Sequence, residues 1–341
     1  MQEMTSTRSN ALIDPSVHIW HGEVAGYLFL GGVVAGVMVL MGLRLLLDRR
    51  DGATTPSGTP ARSLHLGLLP WTVPVLLSVG MFFLWLDLEN PWNAFRFYLV
   101  FRVTSPMSWG SWILLAIYPA SLALAWRTTP AASRTAALGW VEARTSLASR
   151  WPRGAAALSG LGRWVDEHDG AVAWANVVAG AGLGIYTGML LGTMASRPLW
   201  NSAVLGPLFL TSGLSTGAAY MLLYRLNDGE RLLLARVDMG LIVAELALIS
   251  IWLIGLTTGG ASHREAAFTV LGGPWTTAFW TLVVCMGLVV PFLGEWLEQR
   301  GGHVPGRLAA VLVLAGGFAL RWIIVYAGQH AGWDNAPLAL F

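Results

Sequence analysis

The residues able to do chemistry gather toward the ends of long apolar segments. In "HGEVAGYLFLGGVVAG", residues 21–36, Glu23 and Tyr27 stand one helical turn apart, and His21 lies half a turn earlier. Asp87 and Glu89 close a second apolar run, Tyr186 and Thr187 sit in "IYTGMLLG", and Arg321 falls inside the last run. Asp238 and Glu245 lie two turns apart within another run, Glu295 stands near the end of the next, and His263 and Arg264 occupy a late connection. A charged group within lipid costs about 2.5–3.5 kcal/mol on insertion scales, so each is a candidate for binding or proton transfer. Phenols and carboxylates so placed can donate and accept protons. Plainer readings stand beside this one. Glu23, Asp87 and Glu89 could be interfacial charges in water, and Glu295, close to the cytoplasmic end of its run, is expected to be interfacial. Tyr27 and Tyr186 could pack at an interface, and Glu245 could be held neutral by desolvation. Arg321 needs a carboxylate partner or a route to water, and an acid on the outer side is the expected partner.

The elements that must position these groups follow from composition. The 341 residues are 55% hydrophobic and 12% charged, against about 25% charged in a soluble domain. That defines an all-α integral membrane protein. Apolar stretches long enough to cross a hydrocarbon core fall at 23–47, 64–88, 109–127, 170–193, 202–224, 232–257, 277–297 and 306–327. Eight spans, an even number, put both termini on one side. All 21 basic residues are arginine; fifteen lie in or beside the odd-numbered connections and five on the opposite face. The positive-inside rule makes the odd connections cytoplasmic and the termini external, that is, periplasmic. The first 22 residues are polar and lack a signal-peptide core, so the first span is expected to be retained.

The whole chain, 1–341, reads as one membrane domain, with residues 128–169 a cytoplasmic linker part of which forms an amphipathic helix. Trp71, Trp109, Trp126, Trp200, Trp275 and Trp296 fall near span ends and suit interfacial belts. "DLENPWNAFRFYLVFRVTSPMSWGSW" is too polar to span and predicts a short surface helix leading into a Ser-Pro turn. Gly31, Gly32 and Gly36, with "TSGLSTGAA" at 211–219, predict close helix packing.

Several functions are disfavoured. A net charge of +2 suggests no nucleic-acid partner. All seven histidines fall in connections, tails or span ends, which disfavours haem held by two histidines within the bilayer. One cysteine, Cys285, cannot hold an iron–sulfur cluster and reads as a buried small residue; no metal site is predicted. Glu23, Tyr27, Asp87, Glu89, Tyr186, Arg321, His263 and Arg264 share one depth on the outer side. A quinone head group could hydrogen-bond there while its tail stays in lipid. A transporter or proton channel using Asp238 and Glu245 is the alternative.

"YLFLGGVVAG", "DLENPWNAF", "TSPMSWGSW", "YTGMLLG" and "RPLWNSAVLGPLFLTSGLSTGAA", in this order across residues 20–225, resemble the NrfD/PsrC family, the polysulfide reductase membrane subunit. The resemblance implies an eight-helix anchor, two four-helix bundles, that binds menaquinone or ubiquinone and has no redox cofactor of its own. It implies a four-cluster ferredoxin-like iron–sulfur partner and a catalytic subunit, commonly molybdopterin-dependent, in a respiratory complex of the bacterial inner membrane. In the relatives an Asn, a His and a Tyr contact the quinone. Matched on the glycine run, the first two positions fall on Glu23 and Tyr27; matched on its Tyr-Thr-Gly context, the third falls on Tyr186. His21 and Asp87 complete the expected quinone site. Glu23, Asp87, Glu89, Asp238, Glu245 and Arg321 form the expected proton path. Ser105, Pro106, Met107 and Trp109 of the "SPMSWG" turn, with Arg197, His263 and Arg264, are expected as pocket wall or partner interface.

Overall fold

The computed structural model describes residues 20–50, 69–88, 90–130, 132–136, 139, 152–194, 196–224, 226–300 and 306–330. Glu89, Trp140, Trp151 and the polar residues before Trp20 lie outside the described residues. Among the described residues the chain is helical and has no strand. The helices are α1 (Gly22–Arg50), α2 (Leu69–Leu86), α3 (Arg96–Leu99), α4 (Pro106–Thr128), α5 (Pro152–Glu167), α6 (Asp169–Gly192) and α7 (Leu205–Leu222). They continue as α8 (Asp228–Thr257), α9 (Ala261–Leu271), α10 (Thr276–Gln299) and α11 (Gly306–His330).

Seven of these, α1, α2, α4, α6, α8, α10 and α11, are long and apolar enough to cross a membrane. The expected span at 202–224 does form a helix, α7, but its glycines, serines and threonines leave it less apolar than the others. Those same residues suit α7 to burial among helices. Ser212, Gly213, Ser215, Thr216, Gly217, Ala218 and Ala219 are all buried.

α1 is the central helix, packed against α2, α6, α7 and α11. Its glycines make this possible. A Cβ on Gly36 would strike the backbone of Gly213 and Gly217 on α7, and one on Gly180 of α6 would meet the Ala35 carbonyl. Such close backbone approach is how helices associate in lipid, where apolar burial supplies no drive. Gly32 has a second use, since the space a side chain would need holds the Arg321 guanidinium.

At one end Trp20 donates its backbone N–H to Gln329 Oε1 at 3.0 Å, and Gln329 Nε2 donates to the Trp20 carbonyl at 2.9 Å. The chain therefore enters α1 and leaves α11 at the same end. Trp200 stacks on Trp20 there and donates its indole N–H to the Ile324 carbonyl at 2.7 Å. It is buried, so it is a packing residue and not part of an interfacial belt. At the other end Arg127 of α4 forms a bidentate ion pair with Asp169 of α6, and Arg134 pairs with Asp166 of α5. α5 falls within the segment read as an amphipathic linker. α10 is wound as a π-helix over Phe279–Val289, a form found mostly as short bulges inside α-helices. Cys285 lies on the exposed face of that segment, contrary to the expectation of burial.

Candidate functional site

The segment between α2 and α4 builds one side of the site. After α2 the chain turns through Pro91–Asn93 into the short α3, and Ser105 then precedes Pro106 at the first turn of α4. Pro fits there because the missing N–H would be unpaired at a helix start. Ser111 Oγ donates to the Phe97 carbonyl at 3.0 Å, and the Arg102 N–H donates to Ser108 Oγ at 3.0 Å. These bonds fold the connection back on α4, as the surface helix and Ser-Pro turn predict.

A cavity of about 570 Å³ lies between this connection and helices α1, α2, α4 and α6. Its walls are mostly apolar, among them Met81, Phe82, Leu84, Trp85, Phe97 and Met107. Its lining residues with side-chain hydroxyls are Tyr27, Ser78, Tyr98, Ser111 and Tyr186. Tyr27 is only 2% exposed. Tyr186 is admitted by Gly110, since a Cβ there would overlap its hydroxyl and ring. Burial pushes the Tyr98 phenol above its ordinary value, so it keeps its proton near neutrality. Three phenolic donors, in a cavity of the size that takes a small molecule, can orient a ligand bearing carbonyl or hydroxyl oxygens.

Next to the cavity, one ligand-type atom each from His21, Glu23 and Asp87 lie within 4.8 Å of one another. His21 Nδ1 is 3.8 Å from Asp87 Oδ1. Burial raises the Asp87 carboxyl above the ordinary carboxylate range, and the charge of Glu23 adds to the rise. The His21 backbone N–H and imidazole work the other way. These three groups do not line the cavity. They adjoin it through Tyr27, one turn beyond Glu23, and through Trp85 and Leu88, which flank Asp87.

The structure thus brings Tyr27, Tyr186 and Met107 into one cavity and sets His21, Glu23 and Asp87 beside it. Ser105, Pro106 and Trp109 stand at the head of α4 but do not line it; the Trp109 indole donates to the Val103 carbonyl at 2.8 Å. Arg197, His263 and Arg264 do not line it either. Arg197 instead donates to the Gln329 carbonyl at 2.7 Å, tying the segment before α7 to the end of α11. Tyr98, Ser78, Ser111 and Gly110 were missed by sequence reasoning. The "FRFYLVF" run holding Tyr98 was a legible signal, because an aromatic surface helix must cover something.

Arg321 corrects an expectation. It is fully buried, and among the described residues no carboxylate forms an ion pair with it, so the expected partner acid beside the Trp20–Gln329 end is not there. Its guanidinium donates to the carbonyls of Leu28 (3.1 Å), Phe209 (3.3 Å) and Gly317 (2.8 Å) and to Ser212 Oγ (3.1 Å). The carboxyl whose field acts on it is Glu245 of α8. Second-lone-pair bonds from helix carbonyls thus take the place of water around a buried cation. Asp238 and Glu295 are buried as well, so Glu295 is not an interfacial charge.

Seven helices long and apolar enough to cross a membrane, among the described residues, define a multi-pass membrane protein. The chain belongs to the family described as polysulphide reductase, NrfD, whose profile matches residues 11–331. It is 32% identical over 321 residues to Protein NrfD of Escherichia coli, covering 91% of this chain and 95% of that one. It is 29% identical over 324 residues to one of the chains of the polysulfide reductase of Wolinella succinogenes, covering 91% and 94%. A shorter match, 28% over 188 residues, covering 48% of this chain and 42% of the relative, is to one of the subunits of the selenate reductase of Mesobacillus selenatarsenatis. Family membership does not favour the transporter alternative.

Proposed function

We propose that this chain is the membrane anchor and quinone-binding subunit of a multi-subunit respiratory oxidoreductase in the bacterial inner membrane. It exchanges electrons between the menaquinone or ubiquinone pool and an iron–sulfur partner of the four-cluster ferredoxin-like type. That partner connects in turn to a catalytic subunit, by family resemblance a molybdopterin enzyme. The observation that carries the reading is the pairing of Tyr27 and Tyr186 in a largely apolar cavity of about 570 Å³. Two relatives, one named as part of a polysulfide reductase and one as part of a selenate reductase, support it.

In this reading the phenols of Tyr27 and Tyr186 hydrogen-bond the quinone oxygens, and the apolar wall from Met81 to Trp85 receives the ring and tail. Oxidation of a quinol releases two electrons to the iron–sulfur partner and two protons; reduction takes up the same number. Glu23, Asp87 and His21 exchange those protons with the outer water, and Glu89 belongs to the same acidic edge. Asp238, Glu245 and Arg321 form an inner proton route. Arg197, His263 and Arg264, off the cavity, suit the partner interface, together with Ser105, Pro106 and Trp109. The meeting of Trp20 and Gln329 at one end supports an even number of crossings. α7 supplies the eighth span, and the arginine distribution puts that end outside. The spans then group as α1, α2, α4, α6 and α7, α8, α10, α11.

The test is quinone-linked turnover of the purified complex. Tyr27→Phe and Tyr186→Phe each lose one hydrogen bond, about 1 kcal/mol or roughly fivefold in quinone affinity, with assembly intact. Wild-type affinity and turnover in both variants would remove the cavity from the mechanism. Mass identification of co-purified subunits, with iron and molybdenum assays, tests the partners.

A further inference from the structure

Asp238 on α8 and Glu295 on α10 meet away from the cavity, both buried, at 0% and 2% exposure. Ser215 Oγ of α7 donates to Asp238 Oδ1 at 2.6 Å. Written as carboxylates, the other Asp238 oxygen and both Glu295 oxygens have no donor among the described residues. Yet the two carboxyls face each other: each acts on the other, and one turn beyond Glu295 the Gln299 amide of α10 reaches Met239, the residue after Asp238 on α8. Two carboxylates are acceptors only, and two like charges at contact in a dry site repel strongly. A single proton between them satisfies both observations.

We propose that Asp238 and Glu295 form a buried carboxyl pair that holds one shared proton and acts as the inner station of the proton route to Glu245. The shared proton follows from the pair's own geometry; its role as a station rests on the quinone reading above. The groups facing the pair can be named element by element. α7 presents Ser215 and, one turn away, Ser212; α8 presents Glu245; α10 presents Glu298. Glu298 is itself paired with Arg231 at 2.7 Å, and Gln299 turns its amide to Met239 Sδ at 2.9 Å. Arg321 of α11 acts on Glu245. Among the described residues no ion pair joins a cation to Asp238 or Glu295, so a proton is the positive charge available to the pair.

Asp238 and Glu245 are seven residues apart on α8, about 10 Å along the axis at 1.5 Å per residue. That is too far for one transfer. Two hydroxyls of the neighbouring helix lie along this gap: Ser215, which bonds Asp238, and Ser212, three residues earlier on α7, which accepts from Arg321. A hydroxyl donates and accepts at once, so this pair of serines can pass a proton without net charge. Arg321 in turn reaches the Leu28 carbonyl beside Tyr27. The polar groups thus form a series from the inner half of α8 to the residue next to the cavity. Passage along it moves protons only; no bond to carbon and no electron is involved.

Infrared spectroscopy of the purified complex in ordinary and heavy water tests the pair. Wild-type protein should show a deuterium-sensitive C=O stretch of a protonated carboxyl that is shifted or lost in both Glu295→Gln and Asp238→Asn. It should be unchanged in Glu298→Gln. The two amide variants copy the shape of the protonated pair, and gel filtration of the complex checks assembly. A wild-type spectrum in which neither substitution alters such a band overturns the shared proton. Quinone-linked turnover tests the station: Glu295→Gln should lower it at least about tenfold, as loss of a positioned proton carrier does, while quinone binding stays at the wild-type level. A lost band with normal turnover makes the pair a static proton holder and overturns its place in the route. If Tyr27→Phe and Tyr186→Phe leave quinone binding and turnover unchanged while the band behaves as described, the quinone reading fails and the shared proton stands.

Discussion

Gly110→Ala puts one methyl group where Tyr186 now lies. An ideal Cβ at Gly110 overlaps the Tyr186 hydroxyl, Cζ and Cε1, all at the far end of the ring. The strain can be relieved by α4 moving off α6 or by the ring leaving the cavity. The helices resist the first. Asn176 of α6 donates to the Ala120 carbonyl of α4 at 2.9 Å, and the Arg127–Asp169 ion pair clamps their ends. The ring therefore moves. Inserting a methyl group into packed space costs about 1–3 kcal/mol, which is about 5- to 150-fold if all of it falls on ligand binding. Quinone affinity and turnover of the purified complex should drop within that range while the subunits still co-purify. A second background separates this from general damage. In Tyr186→Leu the overlapping ring atoms are gone, so adding Gly110→Ala should cost little more, a clear departure from additivity. Wild-type turnover in Gly110→Ala would refute the reasoning. So would an equal loss in the Tyr186→Leu background.

Two further outcomes follow from buried and half-buried charge. Arg321→Met strips the counter-charge from Glu245 and should destabilise the subunit by about 3–5 kcal/mol, as breaking one side of a buried charge pair does. Thermal denaturation of the complex should show this, and Glu245→Gln in the same chain should restore much of the loss; no restoration would mean that Glu245 is not the counter-charge. Asp87 carries a carboxyl raised by burial. Its contribution to stability is thus fully present below the ordinary carboxylate value and is lost as pH rises through the raised one. Asp87→Asn should flatten that part of the stability profile between acid and neutral pH, and an unchanged profile would assign the slope to another group.

What the sequence made legible depended on whether a residue's role is local. Tyr27 and Tyr186 could be picked out because each sits in a short motif on one helix, and the Ser-Pro turn because proline fixes its own backbone. The glycines of α1 were readable as packing residues, but the role of Gly32 toward Arg321 was not. It depends on where α11 stands. Gly110 was invisible for the same reason: its glycine is required by a phenol on α6, 76 positions along the chain.

The acids were harder still, because a helix in lipid is apolar all round and its buried face leaves little trace in periodicity. Glu295 shows why. Counting along α10 at 3.6 residues per turn presumes one winding, but Phe279–Val289 is π-wound, with i→i+5 bonds and less rotation per residue. The phase is lost across that segment. Cys285, expected to be buried because it is small and apolar, stands on the exposed face, and Glu295, expected at the interface because it is close to the span end, turns in to Asp238; neither expectation took the winding into account. A π-segment just before a buried acid therefore has a structural consequence. It sets which face of α10 carries the carboxyl, so restoring regular α-helical winding by deleting one residue within 279–289 should swing Glu295 away from Asp238. The infrared band of the shared proton should then shift or vanish while Tyr27 and Tyr186, on other helices, keep their quinone affinity; an unaltered band would show that the π-winding does not direct Glu295.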